Sequence, residues 1–356
     1  MSSNNERRPS GGQVILALNR LFDLLKNNEK KNQSAPHLSH YREIPSEVKK
    51  AYELLHQGAS LVHATSTKYT LVGKISKEDQ KVLSADLLRG CELIGAATLS
   101  FLQDETGCSR AVRHYSMRAS LAIFVNVTRL VESFEDESAL EQNVGAQKTG
   151  AVWEACDTIL NKQLPQGNRN AIRRELFTWT SECNDTMKEF QDMIDLGPGE
   201  TGAGDTVEEE EEDFFGDEDQ YSDVELAIAT SCLGVLKCSR GTMKVTLEAC
   251  EHLGSKSVET QDEKHLDKIA QLYAYARVVG RGITDFGSLL YPPLMPSIDN
   301  LESQLREQTQ SILTLQDFLL GLEGLPKHLV DLANNLRNAA EARQQETLVA
   351  ITAAKN

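Results

Sequence analysis

Several stretches of this chain carry residue types at spacings that could do chemistry, and their surroundings decide each case. Gly197-Pro198-Gly199-Glu200-Thr201-Gly202 matches the G-x-G-x-x-G string. That loop cradles a pyrophosphate when it follows a strand and opens a helix, so that backbone amides and the helix dipole face the anion. Here a helical pattern precedes it, Pro198 stiffens it, and an acidic run that repels phosphate follows. Asp285-Phe286-Gly287 spells the metal-binding triplet of protein kinases, but the chain has no Gly-rich strand loop and no His-Arg-Asp catalytic loop. It reads as a helix end with glycine at the C-cap. His37 and His40 are close in sequence, and His56 and His63 lie seven apart on one helical face. Zinc needs converging third and fourth ligands, and neither pair has them at a metal-binding spacing. The seven cysteines form no Cys-x-x-Cys pair and fall mostly within apolar helical patterns, so they read as reduced thiols filling a core. No Gly-x-Ser-x-Gly elbow or His-Glu-x-x-His helix is present. The expectation is a non-enzymatic chain with no catalytic residue, cofactor, metal or small-molecule substrate.

The remaining candidates lie in or beside the acidic run TVEEEEEDFFGDEDQYSDVEL, residues 206–226. Ser222 has an acid at +1, another at +3 and acids upstream, which is the pattern of a substrate for an acidophilic serine kinase of the casein-kinase-2 type. A phosphate there would add nearly two negative charges just before a predicted helix. Negative charge at a helix N-terminus is favourable by about 0.3–1 kcal/mol when exposed, so phospho-Ser222 is expected to cap this helix and sharpen the linker boundary. Phe214 and Phe215, apolar within the charge, are candidate anchors for the loop, on a bundle or on a partner with a basic groove. The bland alternative is a solvated spacer.

The elements that must position these residues are helices almost throughout. Val48, Tyr52, Leu55, Ala59, Val62, Ser66 and Tyr69 recur at alternating 4-3 spacing and draw one apolar stripe. The same period marks Val112 to Phe134, Ile172 to Ile194, Leu226 to Cys250 and Ile298 to Leu322, while period-2 strand signals are nearly absent. Ser76 and Asp79 in SKED are placed as a cap. Leucines 315, 322, 329 and 336 imitate a zipper, but Gly321, Gly324 and Pro326 interrupt it, which makes them core leucines of two consecutive helices. The predicted fold class is all-α: two antiparallel helical bundles of the vinculin- or talin-like four- to five-helix type, joined by an acidic disordered linker. The expected divisions are an N-terminal tail and short helix at 1–44, a bundle at 45–196, the linker at 197–222 and a second bundle at 223–356. Terminal helices packing across that division stay open.

The formal charge of −16 is local. Twelve of the 53 acidic residues lie between Glu200 and Asp223, where there is no lysine or arginine, and the other 41 nearly balance 37 bases. With no basic run, direct binding to nucleic acid or an anionic membrane is not expected. The polar start MSSNNERRPSGG is not a secretory signal, and no apolar run reaches the length of a membrane span. A cytoplasmic and nuclear location is the expectation.

Three segments, GAVWEACDTI (150–159), QYSDVELAIATSCLGVLK (220–237) and LLYPPLMPSIDNLESQL (289–305), resemble in order and spacing the cyclin-D-interacting protein family. The resemblance runs from about residue 45 to about 322, and the Tyr-Pro-Pro turn and the Tyr-Ser-acid junction are its most specific pieces. It implies a two-domain helical protein that binds D-type cyclins and restrains cyclin-D-dependent phosphorylation of the retinoblastoma protein, slowing G1/S progression. It also implies helix-loop-helix factors or adaptors as further partners, and transcription regulation through them. It brings no partner-contact residue. The competing expectation is a cytoskeletal or signalling adaptor of the vinculin/talin helical-bundle type, which fold analogy alone does not separate from the first.

Overall fold

The computed structural model describes residues 10–31, 37–72, 76–135, 144–198, 220–260 and 263–356. Among them are ten α-helices, two short 3-10 turns and no strand, so the all-α class expected from periodicity holds. The described chain falls into two compact units, Met1–Ile172 and Arg173–Asn356.

In the first unit, α1 (Gly11–Lys31), α2 (Ser46–Val72), α3 (Lys77–Leu102), α4 (Arg110–Glu135) and α5 (Val144–Leu160) are followed by the start of α6 (Gly167–Asp195). Helix α2 packs on α3 and α5, α4 packs on α3 and α5, and α1 lies over α3 and α4. The 4-3 stripe on α2 is the buried face: Val48, Leu55, Ala59, Val62, Ser66 and Tyr69 are all excluded from solvent. Burying each large apolar side chain contributes about 1.5–3 kcal/mol relative to leaving it in water. Helix α3 begins at Ser76, whose hydroxyl accepts from the Asp79 amide at 3.2 Å. Helix α1, set apart by sequence with the N-terminal tail, uses Val14, Leu18 and Leu25 as a fifth layer of this core.

The second unit holds α7 (Asp223–Thr260), α8 (Lys264–Gly287), α9 (Ile298–Leu320) and α10 (Lys327–Lys355), together with α6 from Arg173 onward. Helix α7 packs on α8 and α10, α9 closes the ring against the same two, and α7 and α9 also touch across it. Periodicity groups α6 with the first bundle, since its stripe simply follows α5 in sequence. Beyond Ile172, however, that stripe meets α7, α8 and the turn after α8: Trp179 stacks with Tyr273 at 6.2 Å, the Cys183 thiol donates to the Leu236 carbonyl, and Phe190 packs against Tyr291 at 5.0 Å.

The heptad leucines divide as their glycines and proline require. Leu315 lies on α9 and Leu322 just after it, Leu329 lies on α10, and all three are buried with no continuous helix between them. The α9 stripe includes a polar member, Gln308, 3% exposed, whose amide donates to Ser239 Oγ and the Val279 carbonyl. Asp285-Phe286-Gly287 is the last turn of α8, with Phe286 in the core. Here the expectation of a glycine C-cap is corrected. Ser288 is the cap and Gly287 is still helical; glycine suits the position because a Cβ there would come within 2.9 Å of Thr186.

Candidate functional site

The two sequence pieces singled out as most specific, Tyr221-Ser222-Asp223 and Tyr291-Pro292-Pro293, are brought together in the second unit. Helix α7 starts immediately after Ser222, and the turn between α8 and α9 runs past that start. Ser222 is the residue from which the helix hangs: its hydroxyl accepts from the Glu225 amide at 3.4 Å, and its carbonyl takes the first intrahelical bond, from Leu226. Glu225 answers in the other direction. Its Oε2 accepts from the Ser222 amide at 3.0 Å and from the Ser222 hydroxyl at 2.9 Å. This is a reciprocal capping box, which satisfies amide groups that a helix start otherwise leaves open.

The other oxygen of the same carboxylate reaches out of the helix. Glu225 Oε1 accepts from the Leu294 amide at 2.6 Å and the Met295 amide at 3.0 Å, in the turn leading to α9. One side chain, 4% exposed, therefore ties together segments some 70 residues apart. Burial pushes its carboxyl up, but the amides of Ser222 and Met295, the Ser222 hydroxyl and the Leu294 amide outweigh that and hold it below the ordinary carboxylate range. Beside it Tyr221, 1% exposed, donates its hydroxyl to the Leu290 carbonyl. Burial pushes the Tyr221 phenol well up, so it stays a neutral donor. Tyr291 closes the outer side, donating to Glu189 Oε1 at 2.7 Å and resting on Phe190. The Ser222 hydroxyl is taken up by the Glu225 carboxylate and the Tyr291 hydroxyl by the Glu189 carboxylate, and Glu225 is itself held by backbone amides, so the cluster has the geometry of a fastening.

The other sequence candidates are scattered. Phe214 and Phe215 lie outside the described residues, as does most of the expected linker, while Tyr221 and Ser222 at its end are built into the second unit. His56 is exposed on α2, His63 stacks on the Trp153 indole at 5.5 Å, and His40 is buried. Among the described residues no three metal-ligating side chains converge, and no helix is long and apolar enough to cross a membrane. All seven cysteines are buried and unbridged, with their thiols pushed up by burial, Cys183 to about 11 and Cys156 and Cys250 to about 12.

Two features escape sequence reasoning. Glu225 carried a local sign, the Ser-x-x-Glu spacing of residues 222–225, though nothing nearby announces its bonds to Leu294 and Met295. Asn168, in the first unit, carried none. Fully buried, it accepts from the Ser109 amide at 2.7 Å and donates to the carbonyls of His40 (2.6 Å) and Gly107 (2.8 Å), pinning two connectors to the start of α6. An open groove of about 790 Å³ in the second unit is lined by Tyr275, Val278, Arg306, Gln310 and Gln344.

Compared with known proteins, residues 54–196 match a family model described as "Grap2 and cyclin-D-interacting, N-terminal". The match takes in α2 from its third turn through the end of α6. No curated protein matches the chain.

Proposed function

Residues 54–196 are the N-terminal domain of the Grap2 and cyclin-D-interacting family, and on that premise we propose that this protein binds a D-type cyclin without catalysing a reaction. In this reading it holds the cyclin away from productive phosphorylation of the retinoblastoma protein and so restrains G1/S progression, acting in cytoplasm and nucleus. Helix-loop-helix factors and adaptors are further partners of the same kind, and regulation of transcription would follow from sequestering them.

The single observation that carries the reading is the family match, which spans five consecutive helices. The site chemistry is compatible with it. The polar clusters at Asn168 in one unit and at Glu225 in the other are hydrogen-bonded fastenings between segments of the fold. Long helices in stable bundles offer rigid faces of the sort on which protein partners dock.

The test is direct binding of the purified full chain to a purified D-type cyclin, with F-actin sedimentation as the competing arm for a cytoskeletal adaptor. A chain lacking residues 206–219 is run beside it. That deletion removes nine of the acidic residues and no basic one, moving the formal charge from −16 to −7. Saturable cyclin binding, kept after the deletion and absent with actin, is the expected result. Loss of binding on deletion would move the contact into the acidic run, and no cyclin binding by the intact chain would overturn the proposal.

A further inference from the structure

Glu225 accepts four hydrogen bonds, two from Ser222 that cap α7 and two that fasten it to the α8–α9 turn, and one of its four donors is a hydroxyl that can be modified. Ser222 is exposed, although its hydroxyl is engaged. Asp217, Glu218 and Asp219 precede it, and Asp223 and Glu225 follow at +1 and +3. Considered on the helix dipole alone, a phosphate here strengthens α7. The geometry reverses that sign, because the position beside the hydroxyl is already taken by an ionised, buried carboxylate at 2.9 Å.

We propose that Ser222 is a phosphorylation site whose modification opens this fastening and separates the start of α7 from the turn before α9. In the transfer, Ser222 Oγ attacks the γ-phosphorus of ATP. The new O–P bond forms as the bond from that phosphorus to the bridging oxygen breaks, ADP leaves, and the hydroxyl proton passes to the kinase's base. The phosphoserine carries nearly two negative charges and no longer has a proton to give Glu225. The attraction of a helix N-terminus for an anion is modest and falls off within the first turn. Repulsion between like charges at contact distance is larger, and larger still where water is excluded. Glu225 turns away, and the amides of Leu294 and Met295 lose their acceptor.

The closed form also shields its own hydroxyl. Tyr221 at −1 is buried with its hydroxyl on the Leu290 carbonyl, and residues 223–225 are already helical, so a kinase that needs an extended substrate reaches Ser222 only when the first turn frays. Modification captures that frayed state and prevents its closing. Nothing in this device depends on which partner the protein binds.

The full-length protein is incubated with an acidophilic serine kinase of the casein-kinase-2 type and Mg-ATP. Peptide mapping locates the phosphate and separates Ser222 from Thr206, which also has an acid at +3. Amide hydrogen exchange is then compared with and without phosphate. The expected result is phosphate on Ser222 and exchange at least 10-fold faster over residues 290–296 and 223–228. Tyr221→Phe removes one fastening bond while leaving every acidic determinant in place, and should raise the initial rate at Ser222 several-fold. No phosphate at Ser222 in either protein, an unchanged rate in Tyr221→Phe, or unchanged or slower exchange after phosphorylation would each overturn the proposal.

Discussion

His40 shows what a single buried side chain does to the stability of the first unit. It is 8% exposed, its Nδ1 lies 3.0 Å from Ser39 Oγ, its Nε2 has no hydrogen-bond partner among the described residues, and burial lowers it to about 4. A neutral imidazole fits this place and an imidazolium does not. In the unfolded chain His40 takes up its proton near 6.5, so stability is fully present above that pH and drains away as pH falls toward 4, where the folded form also protonates. Between pH 7 and pH 5 the loss from this group is about 2 kcal/mol. Denaturant midpoints of wild type and His40→Gln at the two pH values check it: the variant should lose less on acidification by about that amount. Little of this was legible beforehand. A histidine in a proline-bearing connector gives no sign of burial, and Asn168, which accounts for the packing around it, acts through partners about 60 and 128 residues away. Glu225 is intermediate, since its cap to Ser222 is written in the local spacing while its bonds to Leu294 and Met295 depend on where α8 ends.

At the scale of the helix, α2 and α3 touch at paired glycines. A Cβ on Gly58 would lie 2.7 Å from the Gly90 carbonyl oxygen, and one on Gly90 would lie 3.1 Å from that of Gly58. Backbone cannot give way as a flexible side chain can, so Gly58→Ala should destabilise the protein by about 1–3 kcal/mol through overpacking. Gly150, inside α5, has nothing within 4 Å of its missing Cβ. There Gly150→Ala should stabilise by about 0.4–1 kcal/mol, since only the entropy of the unfolded chain changes. Thermal melts of the two variants should move in opposite directions. The helices themselves were readable because burying one face forces a 3.6-residue period, and Val48 to Tyr69 and Ile298 to Leu322 show it nearly without exception. The period fails as a guide on α10, where Leu332 is 43% exposed and small residues such as Ala333 and Ala340 are buried instead. That face is set by what α7 offers: Gly234 stands under Arg343 and Gly241 under Leu336.

For the molecule as a whole, composition told where the charge lies and that helices would dominate. It did not tell which unit claims α6. That assignment rests on Trp179, Cys183 and Phe190 finding Tyr273, Leu236 and Tyr291, pairings with no trace in local sequence. The distribution of thiols has a practical use. Cys91, Cys108 and Cys156 belong to the first unit and Cys183, Cys232, Cys238 and Cys250 to the second, and every one is shut away from solvent as a protonated thiol. The protein is thus supplied with its own opening gauges. A thiol reagent added to the native chain at neutral pH should label almost nothing, because the reactive thiolate is scarce and enclosed. In rising denaturant, the cysteines of each unit should become reactive together, and peptide mapping of the label would reveal which unit opens first and how far apart the two events lie. Cys232, little more than two turns into α7, would be the natural sentinel for the end of that helix held by Glu225.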